Sequence, residues 1–138
     1  MDEQSAKNQI IEQAVETAWG GLKAADGAIC DVFFKNAPMP ATMPDEFVSI
    51  LALDGGGQNI VIPNNKTRRF CSVICEVNTP KGTGTARAEE LAHTFQEVFE
   101  GKTISGMRFR AANVSEFDGR THYKTNVFIP YEWDRNNA

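Results

Sequence analysis

The chain predicts an α+β fold, a mainly antiparallel sheet of about five strands with two helices packed on one face. Three observations lead there. The hydrophobic period switches between two and 3.6 along the chain, which separates strands from helices. Each of the two helical stretches carries a single apolar stripe, so both must cover a sheet. Turns of the hairpin kind outnumber crossovers, which favours antiparallel neighbours.

The first helix is expected over about Gln4 to Trp19, where Ile11, Ala14, Val15, Ala18 and Trp19 form one stripe and Glu12, Gln13, Glu16 and Thr17 lie outside it. Gly20-Gly21 permits a stop there, although Leu22 would carry the stripe one turn further. Asp26-Gly27 turns the chain into a short strand from about Ile29 to Lys35, with Val32 and Phe34 on a shared face. The segment Asn36 to Pro44 follows, with Pro38, Pro40 and Pro44 excluding it from a sheet interior and Met39 and Met43 as its apolar groups. It is either packed down by its own side chains or waiting for a partner.

A second strand is expected from about Glu46 to Leu53, ended by Asp54-Gly55-Gly56-Gly57, with a brief edge strand from Asn59 cut off by Pro63. Asn64-Asn65 turns into the clearest strand of the chain, Arg68 to Val77. Cys71, Val73, Cys75 and Val77 fall on one of its faces, and Phe70, Ser72, Ile74 and Glu76 on the other. From Thr85 the period becomes helical, with Ala88, Leu91, Ala92, Phe95, Val98 and Phe99 at one stripe and Gly101 at the stop. Met107 to Val114 alternates again, with Arg108 and Arg110 opposite Phe109. Phe117-Asp118-Gly119-Arg120 reads as a hairpin turn into a last strand from about Thr121 to Pro130 that closes on Tyr131-Glu132-Trp133. Residues 134–138 are expected to fray. The 138 residues fit one domain, the size at which a chain buries ~68% of its unfolded surface.

Composition narrows the function. Hydrophobic residues make up 41% and charged residues 23%, which excludes disorder and fibrous repeats. A net charge of −4 disfavours nucleic-acid binding by a lone subunit. No apolar run approaches the ~20 residues of a membrane span, and Met1-Asp2-Glu3-Gln4-Ser5 is no secretory leader, so a cytoplasmic protein without membrane contact is expected. Cys71 and Cys75 stand four apart on one strand, about 13 Å at ~3.3 Å per residue, beyond the ~7 Å a disulfide tolerates. Together with Cys30 they fit a reducing compartment, and the strand pair reads as small core hydrophobes.

No catalytic constellation is visible in the sequence. In Pro80-Lys81-Gly82-Thr83-Gly84 the lysine precedes the glycines, whereas a phosphate loop needs it after them. The dinucleotide fingerprint lacks its third glycine, since position 87 is Arg. A tight turn with Thr85 capping the helix accounts for the segment. His93 and His122 have no zinc-type spacing, so neither a metal nor a cofactor is expected. A cysteine hydrolase would have to pair Cys71 or Cys75 with His93, yet the thiols face a core and His93 faces away. Asp45-Glu46 and Glu89-Glu90 are consecutive and diverge, and Glu89 and Glu90 suit a helix N-terminus. Arg108 and Arg110 share one strand face. That face is either simply exposed or a charged subunit interface.

The run Val73 to Gly84, a strand ending in proline and then Gly-x-Gly, continues into Ala88-Glu89-Glu90-Leu91-Ala92 and closes on Phe95. In order around it stand Val32-Phe33-Phe34-Lys35-Asn36, entering the proline-rich segment, and the closing strand Tyr123 to Tyr131. This pattern resembles the tail-terminator-like proteins of long-tailed bacteriophages over roughly residues 8 to 131. Where that family often has Gly, this chain has Cys71. The resemblance implies a structural virion protein of the phage tail, without catalytic residues, assembled in the host cytoplasm. Such a subunit forms a ring with copies of itself, usually a hexamer, caps the tail tube and offers a surface to a head-completion or neck protein. DNA would meet it only in passing through the ring lumen. With that resemblance, Met39 and Met43 are the first candidate assembly contacts and Arg108 and Arg110 the second. A neck or head-completion connector is the alternative of the same class, and a small cysteine hydrolase the alternative of a different one.

Overall fold

Alternation along Lys66–Pro80 sets the architecture: its odd-numbered apolar residues need a cover, and its even-numbered ones are left on the other side. The computed structural model describes residues 3–26, 31–34, 46–59, 66–82 and 84–136. In order these form α1 (Glu3–Asp26), β1 (Asp31–Phe34), β2 (Phe47–Asn59), β3 (Lys66–Pro80), α2 (Ala86–Phe99), β4 (Thr103–Ile104), β5 (Met107–Phe109), β6 (Asn113–Asp118) and β7 (His122–Asn136). The fold is α+β. The candidate loop Asn36 to Pro44, with Met39 and Met43, and the brief strand expected after Asn59 lie outside the described residues, as does Cys30.

The sheet is larger than the five strands expected, and it is mixed. Seven strands run in the order β1-β2-β3-β7-β5-β4, with β6 also on β7. β1 lies parallel to β2, and every other pair is antiparallel. The parallel pair was missed because about a dozen residues separate Phe34 from Phe47, enough for a crossover in place of a hairpin. Expected as one strand, Met107 to Val114 divides into β5 and β6, and β4 adds an edge. Both lie on the same side of β7: β5 pairs Phe109 with Tyr131, then β6 pairs Asn113 with Phe128, one residue out of step.

Several boundaries moved outward. Helix α1 continues past Gly20-Gly21 to Asp26, since glycine in a helix costs only ~1 kcal/mol each and does not forbid it. Strand β2 does not stop at its glycines. The ladder passes from Asp54↔Cys71 to Gly57↔Arg69 across a bulge. Gly56 takes φ 107° there, and its N–H donates to Asp54 Oδ1 at 3.0 Å. The end expected to fray at Asp134 is part of β7 as far as Asn136, paired with Lys66. Thr85 stands at the start of α2, but its side chain makes no capping bond; only its carbonyl accepts, from Glu89 N–H at 2.9 Å.

The core lies between one sheet face and the helices. Val73, Cys75 and Val77 of β3 and Val127, Ile129 and Tyr131 of β7 meet Leu91, Phe95 and Phe99 of α2 and Ile11 and Val15 of α1 in one buried cluster. Phe95, Phe99, Phe109 and Tyr131 stack in succession with ring centroids 4.8–5.3 Å apart.

Candidate functional site

Period two leaves the opposite sheet face with side chains of its own. Register places Leu51, Ile74 and Phe128 in one row across β2, β3 and β7, and Leu53, Ser72 and Pro130 in the next. Phe70 follows, opposite Glu132. Leu53, Phe70 and Phe128 are 37%, 43% and 38% exposed. The described buried residues of α1 and α2 all belong to the cluster on the other side. Among the described residues, large apolar groups on three successive rows of this face are thus left partly exposed.

The apolar rows end in charge on both sides. Beyond Phe70, Glu132 and Asp134 are surrounded by three arginines, Arg68 of β3, Arg108 of β5 and Arg110 just after β5. Asp134 Oδ1 accepts from Arg68 Nε at 2.9 Å and from Arg108 Nη2 at 3.3 Å. Glu132 lies 3.7 Å from both Arg68 and Arg108 and also pairs with Arg110. The Glu132 side chain is only 8% exposed while that of Arg110 is 63% exposed, so the cluster has a buried anionic centre and a cationic rim. The Arg68 hydrogen bond, against some desolvation and with the Arg108 charge assisting, holds the Asp134 carboxyl below its ordinary value. At the other end Lys124 donates to Glu76 at 2.8 Å and to Asn78 at 3.0 Å.

Arg108 and Arg110 are thus brought together, and each is tied to Glu132. Met39 and Met43 lie outside the described residues. Glu132, Asp134 and Arg68 went unread as site residues. The available signal was alternation: Tyr131 and Trp133 are buried on the core face, which puts Glu132 and Asp134 on the other.

Cys71 and Cys75 are unbridged and buried. Burial pushes the Cys71 thiol up, with Asp54 adding to it and hydrogen bonds at Tyr131 and Trp133 opposing. His93 is exposed on α2 and pairs with Glu97 at 2.9 Å, while Cys75 is fully enclosed, so the two do not form a nucleophile and base. Among the described residues no group of three or more His, Cys, Asp and Glu is arranged to hold a metal ion. No described helix is long and apolar enough to cross a membrane.

No protein-family model and no curated protein matches the chain. Among 17 matching chains of solved structures, one that carries a number in place of a functional name superposes with a TM-score of 0.60. It is 14% identical over 95% of this chain and 98% of its own. At that identity the likeness shows the fold alone.

Proposed function

We propose that this chain is a structural assembly subunit of the phage tail-terminator kind, which joins copies of itself into a ring, caps the tail tube and presents a surface to a head-completion protein. The observation that carries the reading is the open sheet face, with its apolar rows between two charged ends. The sequence pattern from Val73 to Phe95 supports the particular kind of assembly.

The magnitudes suit a part that waits for its partner. Burying a large apolar side chain fully yields ~1.5–3 kcal/mol, so covering three that are about 40% exposed yields roughly 3 kcal/mol. Association of two free bodies costs ~4–15 kcal/mol, so this face alone leaves the free subunit monomeric. Docked on a tail-tube ring already holding neighbours, each subunit meets a high effective concentration of partners and the same small gain suffices.

The test is termination itself. Purified chain is added to polymerising tail-tube protein, and tube lengths are measured by electron microscopy. Wild type is expected to stop growth. Phe70→Ser with Phe128→Ser removes side chains more than half buried, about 2–4 kcal/mol in all, so it is assayed well below its lowered thermal midpoint, where the folded variant is expected to lose the stop. Tubes of undiminished length with wild-type protein, or full termination by the double variant, overturn the reading.

A further inference from the structure

We propose that neighbouring copies join edge to edge, β6 of one subunit pairing with β1 of the next, so that one sheet continues into another with every helix on the same side. This inference rests on the ring reading above and names its side-to-side contact.

The sheet's two ends fit each other in direction. From β1 the directions run up, up, down and up through β2, β3 and β7, and β6 then runs down. A copy placed beside the first in the same orientation sets its upward β1 against the downward β6, and the new pair is antiparallel. The faces match as well. Val32 and Phe34 pair with Val48 and Ile50 on the helix side, and Val114 pairs with Val127 on that same side. Setting Phe33 opposite Ser115 puts Phe34 opposite Val114, which is 48% exposed in the free subunit.

The β6 edge is built to accept a strand. All six of its residues are exposed, and among the described residues it pairs with β7 alone. It carries neither the proline nor the lysine that blunts exposed edges. Its carboxylates are drawn onto its own subunit, Glu116 accepting from Tyr123 Oη at 2.8 Å and Asp118 lying 3.5 Å from Lys81. Among the described residues β1 likewise pairs with β2 alone. Because the two edges differ, the contact is heterologous and repeats from copy to copy, closing into a ring when its rotation closes.

Disulfide trapping tests the pairing. On a Cys30→Ser background, Phe33→Cys is mixed with Asn113→Cys, Ser115→Cys or Phe117→Cys, the three outer-face positions of β6. Directly opposed residues in an antiparallel ladder have Cα atoms ~4.5–5.5 Å apart, within disulfide reach. Mild oxidation is expected to trap mixed dimers at one of the three positions, and the corresponding double variant to give a ladder of multimers. Adding Val114→Lys should reduce trapping about tenfold, equivalent to ~1.4 kcal/mol, with the thermal midpoint nearly unchanged. Self-linking of Ser115→Cys alone would mean that β6 meets β6 and overturns the proposal, as does absence of trapping at all three positions. Repeating the oxidation on capped tubes separates the two readings: termination without trapping removes the edge pairing and leaves the ring.

Discussion

Removing the charge of Glu132 is the perturbation that most directly probes the arginine cluster. Glu132→Gln keeps the shape and one acceptor oxygen but removes the negative charge, so each arginine loses an ion pair and keeps at most a charge–dipole contact. An exposed ion pair contributes ~0.2–1 kcal/mol, and with the carboxylate largely shielded from water each lost pair costs about 1 kcal/mol. Glu132 faces three arginines, but these are not equivalent. Arg110, whose side chain is 63% exposed, adds little once solvent screens it, while Arg68 and Arg108 are 34% and 36% exposed and sit 3.7 Å from the carboxylate. Two partly screened contacts and one nearly fully screened one give a loss of about 2 kcal/mol. At this chain length that corresponds to a fall of about 6–10 °C in the thermal midpoint. Urea denaturation read by tryptophan fluorescence is the assay, since Trp133 adjoins the site in sequence and is buried. Glu132→Ala should cost more than Glu132→Gln, because it strips the arginines of an acceptor as well. A Glu132→Gln loss below about 0.5 kcal/mol, or equal losses for the two variants, would refute the claim that this buried carboxylate organises the cluster.

Gly55→Ala should destabilise by ~1–3 kcal/mol in the same denaturation assay, since its Cβ would stand 2.7 Å from the Phe70 carbonyl oxygen, a backbone atom that cannot swing away. Cys75→Ala should cost about 1–2 kcal/mol as a small core deletion, and native Cys75 should resist thiol labelling until denaturant is added; rapid native labelling would contradict its burial. Stability should fall as pH drops below about 4. Asp134 and Asp54 both titrate below the ordinary 3.8 in the folded chain, Asp134 through the Arg68 hydrogen bond, and Asp54 because desolvation, its largest single influence and an upward one, is outweighed by the Gly56 amide and Arg69 together. Their contribution is therefore complete above 3.8 and is lost as pH falls through the lower folded values, and urea midpoints from pH 5 to pH 2 should show a shallower decline for Asp134→Asn than for wild type.

Local period was the legible part of the fold. Cys71, Val73, Cys75 and Val77 declared the core face of β3, and Ala88 through Phe99 declared the buried stripe of α2, because both patterns are fixed by the backbone geometry of a single element. Pairing was less legible. The parallel β1–β2 pair, the bulge at Asp54 and the split between β5 and β6 depend on which strands meet, and no single segment encodes that. Gly55-Gly56-Gly57 illustrates the difficulty: as composition it signals a stop, yet one glycine supplies the positive φ of a bulge and the strand runs on. Arg108 and Arg110 were legible as a pair on one face. Their carboxylate partners were not, because Glu132 and Asp134 lie more than twenty residues away and meet them only through register.

The ladder between β3 and β7 bears on how the chain folds. Its fifteen pairs, from Lys66↔Asn136 to Pro80↔His122, join residues 42 to 70 positions apart. Each partner strand has a nearer companion. β2 and β3 pair down to Asn59↔Thr67, and β6 and β7 down to Asp118↔Tyr123, so each couple closes a short loop. Short loops close in tens of nanoseconds and hairpins in microseconds, whereas ladders between distant segments carry topologies of this kind into milliseconds or beyond. Two hairpins that form early and independently, followed by a slower encounter along one long seam, is the kinetic order this arrangement imposes. Until the seam closes, both central strands stand with unpaired edges, and crowding by other nascent copies is most dangerous in that interval.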